Sequence, residues 1–273
     1  MENVIVTGAS GFIGSNICET LKDKYNVYKL SREFLYNPDF SKEFIKKTKA
    51  DYIIHCAAYG NMADQDKNVH MMQANIANVF NLLTVSGGRL KGFINFSSSS
   101  VMLSYTTMYS ATKRAGEEIC KAFVNMYDMP IVSVRPYTIT GPGEQATHLI
   151  PTLIRSALTK KQMPYVGYPT HDYVDVRDVV SAIELLLPQC KKLKGQVIDI
   201  ASGSAISNDA VRFIVEDITK SKVPVKYVNN IRKYDNDTWC GNPMVLDGLG
   251  WKRKYRLQDS IKDMIDYESI RTN

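Results

Sequence analysis

Residues 4–14 read Val4-Ile5-Val6-Thr7-Gly8-Ala9-Ser10-Gly11-Phe12-Ile13-Gly14, and this stretch decides the fold. The aliphatic run predicts a buried strand, and the helical pattern after it predicts that the glycine turn opens a helix. Gly8 and Gly11 allow a tight turn and a close approach to an anion, and Gly14 lets the helix pack against the strand. Because a helix N-terminus attracts anions, the turn is predicted to bind the pyrophosphate of a dinucleotide, with a plain tight turn as the alternative.

Short apolar runs alternate with helical patterns through the first half of the chain. Strands are predicted at residues 4–6, 27–30, 52–55, 93–96 and 131–134, and helices at residues 13–24, 75–86 and 109–126. Strands that are apolar on both faces and alternate with helices form a parallel sheet that is covered on both sides. We therefore predict an α/β fold with a doubly wound parallel sheet, a Rossmann fold.

The pattern changes after Arg135-Pro136, where proline and glycine separate shorter elements. Residues 1–135 are predicted to form the dinucleotide-binding domain, and residues 136–273 a smaller substrate-binding region. Residues 197–200 predict a further buried strand that returns to the sheet, and helices are predicted at residues 208–220 and 257–270.

Composition excludes several classes of protein. With 273 residues, 44% of them hydrophobic and 23% charged, the chain is neither disordered nor collagen-like. Its 34 Lys and Arg residues exceed 28 Asp and Glu residues, a net charge of +6, but the cations are scattered along the chain. This distribution argues against nucleic-acid binding and fits a small anionic substrate.

The five cysteines stand far apart and form no Cys-x-x-Cys pair. Neither a disulfide framework nor a metal site is predicted, so the thiols indicate a reducing, cytoplasmic location. The first residues do not resemble a signal peptide, and no apolar run is long enough to span a membrane.

The end of the second predicted strand, Leu30-Ser31-Arg32, bears on the choice of dinucleotide. A carboxylate at this place accepts a hydrogen bond from the adenosine ribose, whereas a cation suits a 2′-phosphate. A hydroxyl beside a guanidinium therefore favours NADP(H) over NAD(H). In the alternative interpretation, Arg32 is a solvated surface residue and Glu33 binds the ribose.

Tyr109 and Lys113 stand four residues apart at the start of a predicted helix, so their side chains share one helix face. A phenol is a poor acid or base at neutral pH unless a nearby cation stabilises the phenolate, and we expect Lys113 to do so. The preceding strand runs into four serines, Ser97 to Ser100, at the sheet edge where α/β proteins bind ligands.

Together these features resemble the extended short-chain dehydrogenase/reductase family of nucleotide-sugar epimerases, dehydratases and reductases. The resemblance extends over most of the chain. It rests on Thr7 to Gly14, His55-Cys56-Ala57-Ala58, Asn75-Ile76, Asn81-Leu82-Leu83, the serine run, Tyr109 to Lys113, Arg135-Pro136, Gly141-Pro142-Gly143, residues 171–178 and Leu249-Gly250-Trp251.

The resemblance implies roles for individual residues. Tyr109 is the expected catalytic acid/base, Lys113 holds the nicotinamide ribose, and one serine polarises the reacting oxygen. Counting back from Val101 selects Ser98, which we favour, and counting from Phe96 selects Ser99. The expected cofactor contacts are Gly8, Ser10, Gly11, Phe12, Ile13, Gly14, Ser31, Arg32, Cys56, Ala57, Ala58, Tyr109, Lys113 and Pro136. A homodimer is expected through the helices that contain Asn75 and Tyr109.

Departures from the family pattern narrow the expected reaction. Related dehydratases carry Asp-Glu directly after the catalytic Ser or Thr, where this chain has Ser99-Ser100. Elimination of water is therefore disfavoured. Because Ser31 and Arg32 favour NADP(H), we expect NADPH-dependent reduction of a nucleotide-linked 4-keto-6-deoxy sugar. The alternatives are a 4-epimerase with tightly bound NAD and a non-catalytic protein that senses the cofactor.

Two histidine positions bear on the substrate. Of His70, His148 and His171, none has an obvious partner in the sequence, and His148 borders the sugar in relatives. His171 stands where relatives commonly have an arginine that contacts the diphosphate. The candidates to replace that arginine are Arg155, Arg177 and Arg232.

Overall fold

The computed structural model describes residues 1–61, 65–229 and 238–272. Contacts divide the chain into two compact units. The first contains Met1–Pro136 and Val180–Asp199, and the second contains Tyr137–Val179 and Ile200–Asn273. Because residues 180–199 belong to the first unit, the chain passes from the first unit to the second twice.

The strands and helices are numbered here in chain order. The strands are β1 (Asn3–Thr7), β2 (Asn26–Leu30), β3 (Tyr52–His55), β4 (Gly92–Phe96), β5 (Ile131–Pro136), β6 (Thr138–Thr140), β7 (Met163–Tyr165), β8 (Thr170–Asp175), β9 (Val197–Ile200), β10 (Ala205–Ser207), β11 (Val225–Tyr227) and β12 (Thr238–Trp239). The helices are α1 (Phe12–Leu21), α2 (Arg32–Leu35), α3 (Pro38–Thr48), α4 (Asn68–Met72), α5 (Asn78–Ser86), α6 (Met108–Tyr127), α7 (Leu149–Thr159), α8 (Val176–Leu186), α9 (Asn208–Thr219), α10 (Met244–Gly248) and α11 (Leu257–Thr272). Short 3₁₀ turns cover Ser99–Met102 and Leu187–Gln189, and a π-helical turn covers Gln73–Ala77.

A six-stranded sheet in the order β2-β1-β3-β4-β5-β9 forms the centre of the first unit. Strands β1 to β5 pair in parallel, so their carboxyl ends lie at one edge of the sheet. This edge gathers Thr7, Leu30, His55, Phe96 and Pro136. The predicted parallel α/β sheet is confirmed.

Alternate residues of the strands are buried on opposite faces of this sheet, as the period of a strand requires. Ile5, Ile53 and Phe93 pack on one face, in a cluster that includes Leu82 and Leu83 of α5. Their neighbours on the other face are also fully buried: Val4, Val6, Ile54 and Ile94. The sheet is therefore covered on both sides, which confirms the doubly wound prediction.

The helix predicted at residues 75–86 begins earlier and is not uniform. Helix α4 begins at Asn68, and the π-helical turn Gln73–Ala77 joins it to α5. A π turn inserts extra backbone into a helix and is often found at functional sites. The sequence pattern shows the apolar face of this segment but not the inserted turn.

The second unit contains two smaller sheets and its own core. Strand β8 pairs with β6, β10 and β12, and β7 pairs with β11. The core joins α7, α9 and α11 through Leu153, Ile154, Val211, Val215 and Ile261, which are all fully buried.

Within the residues that the structure describes, no helix combines the length and the apolarity that a bilayer span requires. Each cysteine is a free thiol.

Candidate active site

The glycine turn after β1 has the shape that a close backbone contact requires. Gly8 has φ +65°, and a Cβ added there would lie 2.8 Å from the backbone nitrogen of Ala57. A Cβ on Gly14 would lie 2.2 Å from the Gly8 carbonyl oxygen. Side chains are therefore excluded at both positions, since the turn packs directly against the loop after β3 and against the first turn of α1.

Helix α1 begins at this turn without a side-chain cap. Gly11 is the N-cap residue, and its amide donates to the Gly8 carbonyl at 3.0 Å. Ser10 and Gly11 are exposed, and Phe12 and Ile13 are partly exposed. The amides at this helix end are thus available to an anion, and the small-residue cradle fits a dinucleotide pyrophosphate.

A buried pair of polar side chains fixes the neighbouring loop. The Thr7 hydroxyl bonds Nδ1 of His55 at 2.8 Å and accepts a hydrogen bond from the Ala57 amide at 3.1 Å. Burial, reinforced by the charge of Lys113, lowers the pKa of His55 to about 3, so the imidazole is neutral at physiological pH. This pair ties β1 to β3 and holds residues 56–58, which the resemblance assigns to the cofactor. Composition and spacing did not indicate this role for His55.

Ser31 and Arg32 lie at the carboxyl end of β2, and both are exposed. The Ser31 hydroxyl does not cap α2. The Arg32 guanidinium makes no hydrogen bond or ion pair with any residue that the structure describes. Glu33, the alternative ribose ligand, is exposed as well.

Helix α6 begins with a capping box that fixes Tyr109 in its first turn. The Ser110 amide donates to the Thr107 hydroxyl at 3.1 Å, and the Thr107 amide donates to the Ser110 hydroxyl at 2.9 Å. Reciprocal caps of this kind define the first residue of a helix. The predicted Tyr109 and Lys113 stripe thereby starts at the sheet edge.

Among the four serines, Ser98 is the one that influences the Tyr109 phenol. Ser98 is partly exposed, whereas Ser99 and Ser100 are buried in the 3₁₀ turn that follows. Burial raises the pKa of Tyr109, and the Ser98 hydroxyl opposes that rise. The arrangement is a hydroxyl pair at the carboxyl end of β4, reachable from solvent.

Lys113 is held by the end of β4. Its ammonium is buried and donates to the carbonyl of Phe96, at the end of β4. Burial lowers the pKa of Lys113 to about 8, and Cys56 and Glu117 oppose that effect. The expected lowering of the Tyr109 pKa by Lys113 stays a prediction.

Glu117 and Arg135 form an ion pair that the sequence did not predict. Glu117 accepts from Arg135 Nε at 2.7 Å and from Nη2 at 2.6 Å, and it accepts from the Ser97 hydroxyl at 2.5 Å. Glu117 follows Lys113 by four residues, so it lies on the same face of α6. Extending the four-residue spacing of Tyr109 and Lys113 by one more helical turn identifies Glu117 as a candidate.

Asn75, in the π-helical turn, links the loop after β3 to the helix of Tyr109. Its side chain accepts from the Tyr59 amide at 3.1 Å and donates to the Tyr59 carbonyl at 2.8 Å and to the Thr112 hydroxyl at 3.0 Å. The Thr112 hydroxyl in turn donates to the Tyr109 carbonyl at 2.9 Å. Asn75 belongs to the family-like motif in the sequence, but its contacts depend on tertiary structure.

The second unit gives His148 a partner that the sequence did not reveal. Nδ1 of His148 lies 3.0 Å from a carboxylate oxygen of the buried Glu144, and the Thr140 hydroxyl donates to the other oxygen at 2.9 Å. The ring of His171 lies 5.5 Å from that of Trp239.

The cations expected to replace the arginine that contacts the diphosphate differ in the partners that they already have. Arg177 pairs with Asp175 and Asp263 at 2.8 Å and stacks on the Tyr255 ring, so it is already neutralised. Arg155 is partly exposed and donates to the Ala146 carbonyl, a neutral group. Arg232 lies outside the described residues.

Comparisons with known proteins bear on the family and the fold. Residues 4–201 match the model of the NAD dependent epimerase/dehydratase family. A UDP-glucose epimerase of Bacillus subtilis, described as uncharacterized, is 27% identical over 97% of this chain and 98% of its own length. GDP-6-deoxy-D-talose 4-dehydrogenase of Aggregatibacter actinomycetemcomitans is 24% identical over 89% of each chain. The structure of UDP-N-acetylglucosamine 4-epimerase from Methanobrevibacter ruminantium M1, in complex with UDP-N-acetylmuramic acid, superposes with a TM-score of 0.88 at 22% identity, over 99% of both chains.

Proposed function

The chain belongs to the NAD dependent epimerase/dehydratase family, and from that premise we propose that it reduces a nucleotide-linked 4-keto-6-deoxy sugar with NADPH. The Aggregatibacter relative supports the proposal, because its name describes hydride chemistry at carbon 4 of a nucleotide-linked 6-deoxy sugar. The hydroxyl pair of Ser98 and Tyr109 is the minimum that such a reaction requires of the protein.

The proposed reaction needs a hydride and a proton. The reduced nicotinamide, when bound, supplies the hydride to the ketone carbon. Ser98 holds the ketone oxygen, and Tyr109 donates its phenolic proton to that oxygen as the C=O double bond becomes a single bond. The phenol then regains a proton from solvent, which its partly exposed position permits. The buried Lys113 ammonium holds positive charge beside the site and favours the transient phenolate.

Elimination of water is not part of the proposal. That reaction needs an additional acid and base next to the hydroxyl pair. Residues 99 and 100 are serines, whose hydroxyls are too weakly acidic and basic to fill those roles at neutral pH.

The observation that carries the choice of NADPH, and with it the choice of reduction, is that the Arg32 guanidinium has no hydrogen-bond or ion-pair partner among the residues that the structure describes. A guanidinium without an internal carboxylate partner is free to form charge-assisted hydrogen bonds with a 2′-phosphate. Ser31 adds an exposed hydroxyl beside it. A reductase must exchange its cofactor at every turnover, whereas the epimerase alternative keeps NAD bound. A preference for NADP(H) therefore fits reduction.

We propose that the second unit binds the nucleotide diphosphate. Arg155 supports this assignment, because it is partly exposed and its described hydrogen-bond partners are neutral. We also propose a homodimer through α4 to α6. Val69, Met72 and Phe80 of these helices are 76%, 56% and 50% exposed, more than expected for apolar residues that face only water.

A 4-epimerase with tightly bound NAD is the second candidate. The name of the Bacillus relative favours it. In that reaction, the same hydroxyl pair would remove a proton from the sugar alcohol and return it after the ketone had rotated. Glu33, exposed next to Arg32, would then bind the ribose.

One experiment separates these candidates. The purified protein is denatured and the released nucleotide identified, and the native protein is then offered CDP-, GDP-, dTDP- and UDP-linked 4-keto sugars with NADPH at 340 nm. We expect little retained nucleotide and oxidation of NADPH with one substrate class. Stoichiometric NAD that does not exchange would overturn reduction in favour of epimerisation. Binding of NADPH without turnover of any keto sugar would favour the non-catalytic alternative.

A further inference from the structure

We infer that one water molecule binds between His55 of β3 and Asn95 of β4, inside the first unit, and completes a buried chain of hydrogen bonds. Nε2 of His55 and Oδ1 of Asn95 are both buried, and neither atom has a hydrogen-bond partner among the residues that the structure describes. The two residues are 1% and 2% exposed, so bulk solvent does not reach these atoms.

The site lies within a row of polar residues that crosses four strands of the sheet. The row takes one residue from each of β1, β3, β4 and β5, and neighbours in it are paired in the strand register: Thr7, His55, Asn95 and Ser133. Each follows by two positions a residue of the apolar cluster that covers one face of the sheet: Ile5, Ile53, Phe93 and Ile131. Because residues two positions apart share one face of a strand, all four polar side chains lie on that face.

The outer members of the row orient the inner two. The Thr7 hydroxyl lies 2.8 Å from Nδ1 of His55, so this nitrogen is turned toward β1. The Asn95 amide nitrogen donates to the Ser133 hydroxyl at 3.3 Å, so it is turned toward β5. The two nitrogens of an imidazole point in divergent directions, and an amide carries its oxygen and nitrogen on opposite sides. The two remaining atoms are therefore directed into the space between β3 and β4.

A water molecule is the ligand that satisfies both atoms. A buried polar atom without a hydrogen bond is costly, and a buried water commonly bonds about two to four such atoms. Adjacent strands lie about 4.8 Å apart, which is close to the distance that one water spans through two hydrogen bonds. Because water both donates and accepts, the site suits either tautomer of His55 and either orientation of the Asn95 amide.

The completed chain connects the loop after β3 to the middle of the sheet. Thr7 accepts from the Ala57 amide at 3.1 Å, so the chain runs from that loop through the whole row to β5. Hydrogen bonds in such a chain strengthen one another. The water is therefore expected to hold residues 56–58 in place in the free protein, independently of the reaction that the protein catalyses.

The first test uses the unaltered protein without cofactor. In a high-resolution crystal structure, we expect density for a water within about 2.7 to 3.2 Å of both Nε2 of His55 and the side-chain amide of Asn95. A direct hydrogen bond between the two side chains, or the lack of density between them, would overturn the inference.

The second test counts long-lived internal waters in solution by ¹⁷O magnetic relaxation dispersion. Asn95→Leu keeps the branching of the side chain and removes its polar atoms, so we expect this variant to hold one internal water fewer than the unaltered protein. An equal count in the two proteins would overturn the inference.

The matched control is Asn3→Leu, because the Asn3 amide is bonded by protein groups at both of its atoms. Its nitrogen donates to the Thr48 and Lys49 carbonyls at 2.8 and 3.2 Å, and its oxygen accepts from Asn26 at 2.9 Å. This replacement is expected to leave the count of internal waters unchanged. Loss of one water in Asn3→Leu as well would overturn the assignment, since the count would then follow stability instead of the proposed site.

Hydrogen exchange of the Ala57 amide tests the effect on the loop. We expect Asn95→Leu to lower the protection of this amide by about fivefold to thirtyfold, because the chain that ends at Thr7 is broken. The Lys160 amide, which donates to the Ser156 carbonyl at 2.9 Å in the second unit, is expected to keep its protection. If the water is found but the Ala57 amide is unaffected, or if both amides change equally, the site stands and its role in holding the loop fails.

Discussion

Glu117 and Arg135 form a two-pronged ion pair that joins α6 to β5, with N···O distances of 2.7 and 2.6 Å. The Glu117 side chain is 2% exposed and that of Arg135 is 20% exposed. The same carboxylate accepts from the Ser97 hydroxyl, and Arg135 Nη1 lies 3.1 Å from the sulfur of Met102. The pair therefore holds both ends of the turn that presents Ser98, and it does so from the helix that carries Tyr109.

Removing one member of this pair is expected to reduce stability and activity together. Glu117→Ala removes the carboxylate that neutralises a largely buried guanidinium, and we expect the free energy of unfolding to fall by about 2 to 4 kcal/mol. Urea denaturation followed by circular dichroism measures this change. At a temperature where the variant is folded, its kcat is also expected to fall, because Ser97 loses its acceptor and the serine turn its anchor.

The control is Glu118→Gln at the next position. Glu118 is 62% exposed and pairs with Lys121 on the helix surface, so its replacement is expected to change stability by less than about 0.5 kcal/mol. Equal losses in the two variants would contradict the role assigned to the buried pair.

Replacing Ser98 or its neighbour Ser99 by alanine is expected to have different effects on kcat. Ser98→Ala removes the hydroxyl proposed to hold the ketone oxygen, and we expect kcat to fall by about 100-fold, typical of losing one preorganised donor to a developing oxyanion. Ser99→Ala is expected to change kcat by less than about threefold. Steady-state kinetics at saturating NADPH measures both. The reverse order would transfer the catalytic role to Ser99.

The sequence was sufficient for the fold and for the stripe of Tyr109 and Lys113, because both depend on local periodicity. Strand patterns and a glycine turn determine where a parallel sheet has its carboxyl edge. Contacts between distant residues were not predictable in this way. Glu117 and Arg135 are brought together by the packing of α6 on the sheet, and the bond from Lys113 to the Phe96 carbonyl depends on how deeply that helix lies. The neutral state of His55 likewise follows from burial, which no spacing rule reports.

The cofactor preference is tested by Arg32→Ala. If the guanidinium binds the 2′-phosphate, the KM for NADPH is expected to rise by about 10-fold to 100-fold, the range for one charge-assisted contact, while the KM for NADH stays unchanged. Glu33→Gln is the matched control, because it removes the neighbouring charge without touching Arg32. Equal losses with the two cofactors in Arg32→Ala would show that Arg32 does not discriminate between them. A selective loss with NADH in Glu33→Gln would assign the ribose to Glu33.

Lys113 is expected to oppose stability while it serves the reaction. Burial lowers its pKa from 10.5 to about 8 in the folded protein, so between those pH values the unfolded chain holds a proton that the folded chain lacks. Stability therefore rises with pH across this window, and the full unfavourable contribution, roughly 3 kcal/mol, is present below pH 8. Lys113→Met removes the charge and keeps the volume. We expect this variant to lose activity by more than about 100-fold and to be more stable than the unaltered protein at pH 7.

The pH dependence of that gain provides the decisive measurement. Urea midpoints of Lys113→Met and of the unaltered protein are compared at pH 7 and pH 10, and the advantage of the variant is expected to shrink at the higher pH. Lys121→Met is the control, because Lys121 is 46% exposed and its replacement removes no buried charge. A variant that is less stable at pH 7, or that keeps the same advantage at both pH values, would contradict the assignment, since only a buried ammonium that loses its proton near pH 8 produces a gain that fades as the pH rises.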